Sequence, residues 1–308
     1  MKTGFIGLGR MGRGMVARLQ AAGHDLVVHD MVREAGTTLV DAGAAWAESP
    51  AQVAAECSLV FTSLPTPADV VSVCHGRDGL SEGLRQDSTW FDLTTSSLKV
   101  VRDLHGQMAE RGIAFLDAPV SGGPRGAASG KLAIWVGGDK EVFDRHAKAL
   151  GAMADQPKYI GDSGAGTIAK LAHNMASSAI KVVLGEVMTM GVKAGLDPLP
   201  LWEAMRTGGA GRMRGFDNIQ RFLEGNLDPA SFAIRLMQKD VGLALELARE
   251  MDVPMRMCNM VGQDLSEAIN RGWDNRDSQA LLVLQQERSG IPEIRIPAEK
   301  IKAAMARS

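Results

Sequence analysis

The segment Gly7-Leu8-Gly9-Arg10-Met11-Gly12 follows the apolar pair Phe5-Ile6 and runs straight into a helical pattern. A strand that ends in a glycine-rich turn and continues at once as a helix opens a βαβ unit. Such a unit requires a parallel sheet, because only a crossover returns the chain to the same sheet edge. The rest of the first half repeats the alternation. Gly4–Leu8, Asp25–His29, Leu59–Ser63, Trp90–Leu93, Ala114–Asp117, Leu132–Val136 and Lys158–Ile160 read as short strands. Met11–Ala22, Thr37–Ala42, Val100–Arg111 and Asp139–Leu150 read as helices. The pattern predicts an α/β fold, a doubly wound and mostly parallel Rossmann sheet with helices on both faces.

The character changes near Gly161-Asp162-Ser163-Gly164, after which helical periodicity replaces the strand pattern. Ala165–Ala194 reads as one long helix, with Gly185 and Gly191 weakening its middle. Pro198–Arg206, Met213–Glu224, Ile234–Glu250, Met255–Arg271 and Ser278–Ser289 follow as further helices. A chain of 308 residues suits two domains. The expected division is a dinucleotide-binding domain at 1–162, an all-α domain at 163–290 entered by the long helix, and a loosely ordered or partner-binding tail at 291–308.

A net charge of −2 and the lack of any Lys/Arg-rich block argue against a nucleic-acid surface. No stretch of about 18 uncharged apolar residues suggests a membrane span, and Arg10 and Arg13 cut short the apolar start that would open a signal peptide. Cys57, Cys74 and Cys258 are isolated, so neither a metal site nor a disulfide framework is expected; they read as buried or reduced thiols of a cytoplasmic protein.

Within the glycine-rich turn, Gly7 permits the tight bend, Gly9 lets a pyrophosphate approach the backbone, and Gly12 lets the helix pack closely on the strand. The helix start offers free N–H groups to phosphate. Asp30, about 20 residues further on, stands where a carboxylate meets the adenosine ribose, which favours NAD. Arg33 leaves NADP open, since a nearby arginine could take the 2′-phosphate. Leu64-Pro65-Thr66-Pro67 and Asp92-Leu93-Thr94-Thr95-Ser96 follow two later strands, at the sheet end where such ligands bind.

Two further segments carry chemistry. In Gly164-Ala165-Gly166-Thr167-Ile168-Ala169-Lys170-Leu171-Ala172-His173-Asn174, Lys170 and Asn174 are one helical turn apart and share a face. A lysine and an amide projecting together from an otherwise apolar helix suggest a site. In Asp117-Ala118-Pro119-Val120-Ser121-Gly122-Gly123, a serine hydroxyl and unobstructed amides could hold a carboxylate, or form a plain turn. Oxidising an alcohol removes a hydroxyl proton as hydride leaves the carbon, and the reverse reaction protonates a carbonyl oxygen. An amine can do both if burial and a positive nicotinamide lower its pKa. His24, His29, His75, His105 and His146 are scattered and read as structural or exposed; His173, next to Asn174, points about 100° away from it on a helix.

Together these segments, with Lys239-Asp240-Val241-Gly242-Leu243-Ala244, resemble the β-hydroxyacid dehydrogenase family, over about residues 2 to 290. That family includes 3-hydroxyisobutyrate dehydrogenase and tartronate semialdehyde reductase and is related to 6-phosphogluconate dehydrogenase. The resemblance implies NAD(P)-dependent oxidation of a small 3-hydroxy acid, or reduction of the matching semialdehyde, by a homodimer or homotetramer. It implies Lys170 as the catalytic lysine with Asn174 assisting, and Ser121, Gly122 and Gly123 as the substrate-carboxylate turn. It places Leu64 and Pro65 on the nicotinamide side, and Thr95 and Lys239 against the cofactor or the substrate beside it. The chain departs from the family at three places. His173 stands where many relatives carry a second asparagine, and Asp69 where some have a neutral residue near the cofactor. Gly208–Arg214 replaces a serine-rich turn; there Arg212 and Arg214 could bind a second acidic group of the substrate or be solvated. A dinucleotide-binding sensor that lost catalysis is the alternative from another class, and the survival of Lys170, Asn174 and Ser121 counts against it.

Overall fold

The computed structural model describes residues 2–212, 219–235, 237–238, 241–242, 245, 249, 252–288, 290 and 294–306. The chain divides into two compact units, Met1–Ala176 and Ser177–Ser308. In the first, nine strands form the sheet: β1 (Lys2–Ile6), β2 (Asp25–His29), β3 (Ala45–Trp46), β4 (Leu59–Thr62), β5 (Thr89–Asp92), β6 (Ala114–Asp117), β7 (Val120–Ser121), β8 (Ala133–Gly137) and β9 (Lys158–Gly161). Their order is β3-β2-β1-β4-β5-β6-β8-β7, with β9 on β8. Pairing is parallel from β3 to β6, antiparallel between β6 and β8, and parallel again between β8 and β9. This is the doubly wound sheet the alternation predicts. Its strand order reverses between β1 and β4, and the crevice beyond the strand ends at such a point is where these sheets take ligands.

Side chains alternate between two buried layers, as the two-residue period of a strand requires. Leu26, Val28, Phe5, Phe61, Phe91 and Leu116 face one layer, closed by Met15, Val16 and Leu19 of helix Gly12–Ala21. Val27, Ile6, Val60, Trp90 and Phe115 face the other, closed by helices Pro50–Glu56, Pro67–His75 and Leu98–Ala109. Each large side chain so buried contributes about 1.5–3 kcal/mol, and together these layers fix the register of the strand ends that build the site. Cys57 and Cys74 are free thiols inside the second layer. Burial pushes them up to about 12 and about 11, so they behave as small apolar groups.

Several local expectations change. Asp139–Leu150 is not one helix: Lys140–Arg145 and Ala147–Met153 meet at His146, whose backbone leaves the helical region (φ −105°, ψ 9°). Its ring turns into the core, with Nε2 3.2 Å from Thr89 Oγ1. Strand β3 and helices Pro50–Glu56, Pro67–His75 and Gly123–Ser129 were not legible as elements. Two of them begin at the N-caps Ser49 and Thr66, each followed by proline, a start signal that outweighs their weak apolar periodicity.

The second unit is helical. Helix Ala165–Lys193 starts in the first unit and continues into the second; Pro198–Thr207, Gly209–Arg212, Gln220–Glu224, Arg256–Asn270 and Leu281–Arg288 follow. Of the expected helix Met213–Glu224, residues 213–218 lie outside the described set, as does much of Ile234–Glu250. Phe222, Leu227, Ile234, Leu265 and Leu284 form the core. The tail is not wholly loose: Ala298–Met305 is a helix with Ile301 buried. Among the described residues no helix is long and apolar enough to cross a membrane.

Candidate active site

A cleft of about 1030 Å³ opens at the C-terminal ends of β1, β2 and β4. It is lined by Gly7, Gly9, Arg10, Met11 and Gly12 of the glycine-rich turn, by Asp30 and Arg33 after β2, and by Leu64 and Pro65 after β4. Gly12 is dictated by packing, since a Cβ there would stand 1.8 Å from the carbonyl oxygen of Gly7. A Cβ on Gly9 would meet nothing within 4 Å, so this backbone faces open space that a ligand can enter. A glycine turn of this shape at a helix start, beside a carboxylate at the end of the second strand, fits a dinucleotide. Asp30 also does structural work: Oδ2 accepts from the backbone N–H of Leu8 at 2.6 Å and Oδ1 from that of Val32 at 2.8 Å. Arg33 pairs with Glu48 at 2.7 Å and its guanidinium lies 5.1 Å from the centre of the Trp46 ring.

Beneath the two later loops runs a buried polar chain with no counterpart in the sequence pattern. Trp90 Nε1 donates to Thr62 Oγ1, Thr62 Oγ1 donates to Asp92 Oδ1, and Asp92 Oδ1 also accepts from the N–H of Thr94. Thr94 Oγ1 in turn accepts from the N–H of Leu64 at 3.0 Å. The chain ties the loop after β4 to the loop after β5. Burial pushes the Asp92 carboxyl up to about 6, against the bonds from Thr94 and Thr62 that favour its charged form. Asp69 is accounted for nearby: its carboxylate accepts from the N–H of Thr66 while its own N–H donates to Thr66 Oγ1, a capping box for helix Pro67–His75.

A second recess, about 300 Å³, shares Met11, Ser63 and Leu64 with the first and adds Thr95, Ser121, Gly122, Gly123 and Lys170. The turn needs its glycines, for Gly122 and Gly123 have φ of +127° and +62°. Lys170 is only 8% exposed. Its Nζ lies 5.9 Å from the centre of the Trp135 ring, and among the described residues no carboxylate pairs with it. Burial lowers its pKa from the ordinary lysine value. His173, offset from Asn174, stands at the edge of the site: Nε2 is 3.3 Å from Ser121 Oγ and its ring centre 5.1 Å from that of Trp135. The offset of His173 from Asn174 does not separate it from Lys170, for those two are three apart and that spacing also shares a face. Asn174, one turn further along that face, is exposed and is not among the residues lining the recess.

Helix and turn are joined through Asp117. This buried carboxylate accepts from the N–H of Gly164 at 2.8 Å and from that of Thr167 at 2.6 Å, holding the start of helix Ala165–Lys193 against the end of β6. The Asp117–Gly123 segment and the Gly164–Asn174 segment are thus two halves of one construction.

Known proteins share this arrangement of segments. A family profile described as the NAD binding domain of 6-phosphogluconate dehydrogenase matches residues 2–161, and one described as NAD-binding of NADP-dependent 3-hydroxyisobutyrate dehydrogenase matches residues 164–284. The chain belongs to the β-hydroxyacid dehydrogenase family. It is 31% identical to 2-(hydroxymethyl)glutarate dehydrogenase of Eubacterium barkeri, covering 94% of this chain and 97% of that one. It is 30% identical to mitochondrial 3-hydroxyisobutyrate dehydrogenase of Homo sapiens, covering 92% and 87%. A crystal structure of an oxidoreductase from Mycobacterium avium 104 superposes with a TM-score of 0.75 at 32% identity, covering 86% and 96%. As a member of this family the chain is an NAD(P)-dependent oxidoreductase.

Of the residues expected at the site, Gly7, Gly9, Arg10, Met11, Gly12, Asp30, Arg33, Leu64 and Pro65 line the larger cleft, and Thr95, Ser121, Gly122, Gly123 and Lys170 the smaller; the Leu8 side chain is instead buried in the core, and only its N–H reaches the site, on Asp30. Arg212 ends helix Gly209–Arg212, and Lys239 lies outside the described residues. Trp135 and Thr62 support the site from outside the segments read for it, and Asp117, Asp92 and Thr94 support it from within those segments, where the sequence pattern assigns them no role.

Proposed function

We propose that the chain oxidises a small 3-hydroxy acid to its semialdehyde with NAD as hydride acceptor, and that Lys170 handles the hydroxyl proton. One observation carries this reading: a buried lysine without a carboxylate partner among the described residues lines the same small recess as the Ser121-Gly122-Gly123 turn, next to the glycine-rich cleft. Bound nicotinamide supplies the hydride acceptor. Lys170 Nζ, neutral when it acts, takes the proton from the hydroxyl as the carbonyl forms, and returns it when the semialdehyde is reduced. Ser121 Oγ and the amides of Gly122 and Gly123 hold the carboxylate, so the carbon that loses hydride is set by its distance from that anchor. Asn174, a turn beyond Lys170, is assigned an assisting role by the resemblance, as is Lys239 toward cofactor or substrate; Arg212, where the chain departs from the family, is assigned to a second acidic group of the substrate. We further place the protein in the cytoplasm as a homodimer or homotetramer.

The test is reduction of NAD and NADP by the purified protein over 3-hydroxyisobutyrate, 3-hydroxypropionate, glycerate, serine, threonate and 2-(hydroxymethyl)glutarate. Turnover of at least one supports the reading. Dinucleotide binding without any turnover, in either direction, favours a sensor instead.

His173 adds an expectation of its own. Its ring fixes the Ser121 hydroxyl, so His173→Leu is expected to raise KM for the hydroxy acid about tenfold with little change in kcat. His173→Asn, which keeps a hydrogen-bonding side chain, should recover most of the loss. Steady-state kinetics in a Ser121→Ala background check it: there the His173→Leu effect should disappear, and an undiminished effect would assign His173 another role.

A further inference from the structure

The corner of the larger cleft next to Asp30 holds three charged side chains, and their bearing on cofactor choice rests on the dinucleotide reading of that cleft. Arg33 Nη1 meets Glu48 Oε1 at 2.7 Å, and its guanidinium lies over Trp46. The pair is built in at Glu48's end. The backbone N–H of Glu48 donates to Gln52 Oε1 at 2.8 Å, and the next residue, Ser49, caps helix Pro50–Glu56. Trp46 is held in turn against Gly36, where an added Cβ would stand 2.7 Å from its ring, and beside the His29 ring at 5.8 Å. The Asp30 carboxylate is fixed by the N–H groups of Leu8 and Val32. All of Asp30, Arg33, Trp46 and Glu48 line the cleft.

A ribose 2′-phosphate carries nearly two negative charges at neutral pH. Beside Asp30 it would look for cations, and Arg33 is the arginine that follows β2 at the position able to accept it. Here Asp30 and Glu48 together outweigh Arg33 by one negative charge, and Arg33 is already engaged. Of the other cations lining the cleft, Arg77 pairs with Asp78 at 3.5 Å, and Arg10 belongs to the glycine-rich turn that offers its backbone to the pyrophosphate.

We propose that Glu48 is a second determinant of cofactor choice, a positioning residue that occupies Arg33 and so disfavours a 2′-phosphorylated dinucleotide. Asp30 rejects the phosphate directly. Glu48 removes the arginine that would otherwise compensate. Both groups of the Arg33–Glu48 pair are largely exposed, at 66% and 75%, so the effect is moderate.

The experiment is calorimetric titration of the full chain with NAD+ and NADP+, needing no substrate. The native protein is expected to bind NAD+ more tightly. Glu48→Gln should lower the ratio of Kd for NADP+ to Kd for NAD+ about fivefold, the size expected for one exposed charge. In an Arg33→Ala background the same substitution should leave that ratio where it was. A ratio unmoved by Glu48→Gln overturns the proposal. A gain that persists without Arg33 also overturns it, since Glu48 would then act by repulsion alone. Equal native affinities leave nothing for Glu48 to determine and overturn it too, while the cofactor reading survives. Native protein that binds neither dinucleotide overturns both.

Discussion

Lys170→Ala is expected to lower kcat about a thousandfold in either direction while NAD binding stays within about twofold. General acid–base groups contribute about 10²–10⁴ in rate, and Lys170, buried and lining the smaller recess, is the group proposed to handle the proton. The pH profile gives the sharper signature. Burial lowers the lysine pKa below its ordinary 10.5, so the neutral form becomes available at lower pH than for an exposed lysine. Oxidation needs that neutral amine, and its kcat/KM should rise with pH through the lowered pKa to a plateau. Reduction needs the ammonium, and its kcat/KM should fall through the same value. Stopped-flow or steady-state assays across pH check both limbs. In Lys170→Ala the residual oxidation should lose its limb; a limb that survives unchanged assigns the proton transfer to another group. Folding gives no reason for the variant to fail, because a truncated Lys170 leaves no partner carboxylate unpaired among the described residues.

The parts of the site that lie on local patterns were legible in the chain. Gly7 to Gly12 is a contiguous motif in which sterics require Gly7 and Gly12 while Gly9 leaves open space for a ligand, and the cleft stands around it. Asp30 directly follows a strand whose apolar run is plain, so its place beside the turn followed from topology. Lys170 was conspicuous as a charge on an apolar helix, and its burial agrees with that. What stayed hidden depends on pairs far apart in sequence. His173 reaches Ser121 across 52 positions, and Glu48 reaches Arg33 from the loop after β3, a two-residue strand too short to have a period. The chain Trp90–Thr62–Asp92–Thr94–Leu64 is built from residues on adjacent strands whose register only the folded sheet sets. Asp69 combines both kinds of signal: it lines the larger cleft, and it also answers to a local rule, as the capping-box partner three residues after Thr66.

Asp117→Ala is expected to cost about 3 kcal/mol of stability, because two buried backbone N–H groups lose their acceptor together and each such loss costs about 1–3 kcal/mol. The carboxylate is 1% exposed and receives the N–H groups of Gly164 and Thr167, both at the N-terminus of helix Ala165–Lys193, where a negative charge is also favoured by the helix dipole. Asp117→Asn should cost less, since its amide oxygen can still accept from one of the two. Urea denaturation of both variants measures this, with the alanine midpoint lower than the asparagine one. Function should follow from the same anchor. Lys170 sits one position short of a full turn beyond Thr167, so a helix start released from β6 displaces the amine relative to the Ser121–Gly123 turn. A displacement of about 1 Å is enough to cost about a hundredfold in rate. Asp117→Asn is therefore expected to lower kcat while dinucleotide affinity, which depends on the glycine-rich turn after β1, changes little. A stability loss below about 1 kcal/mol with full activity would mean that the helix start is held by its packing and not by the carboxylate.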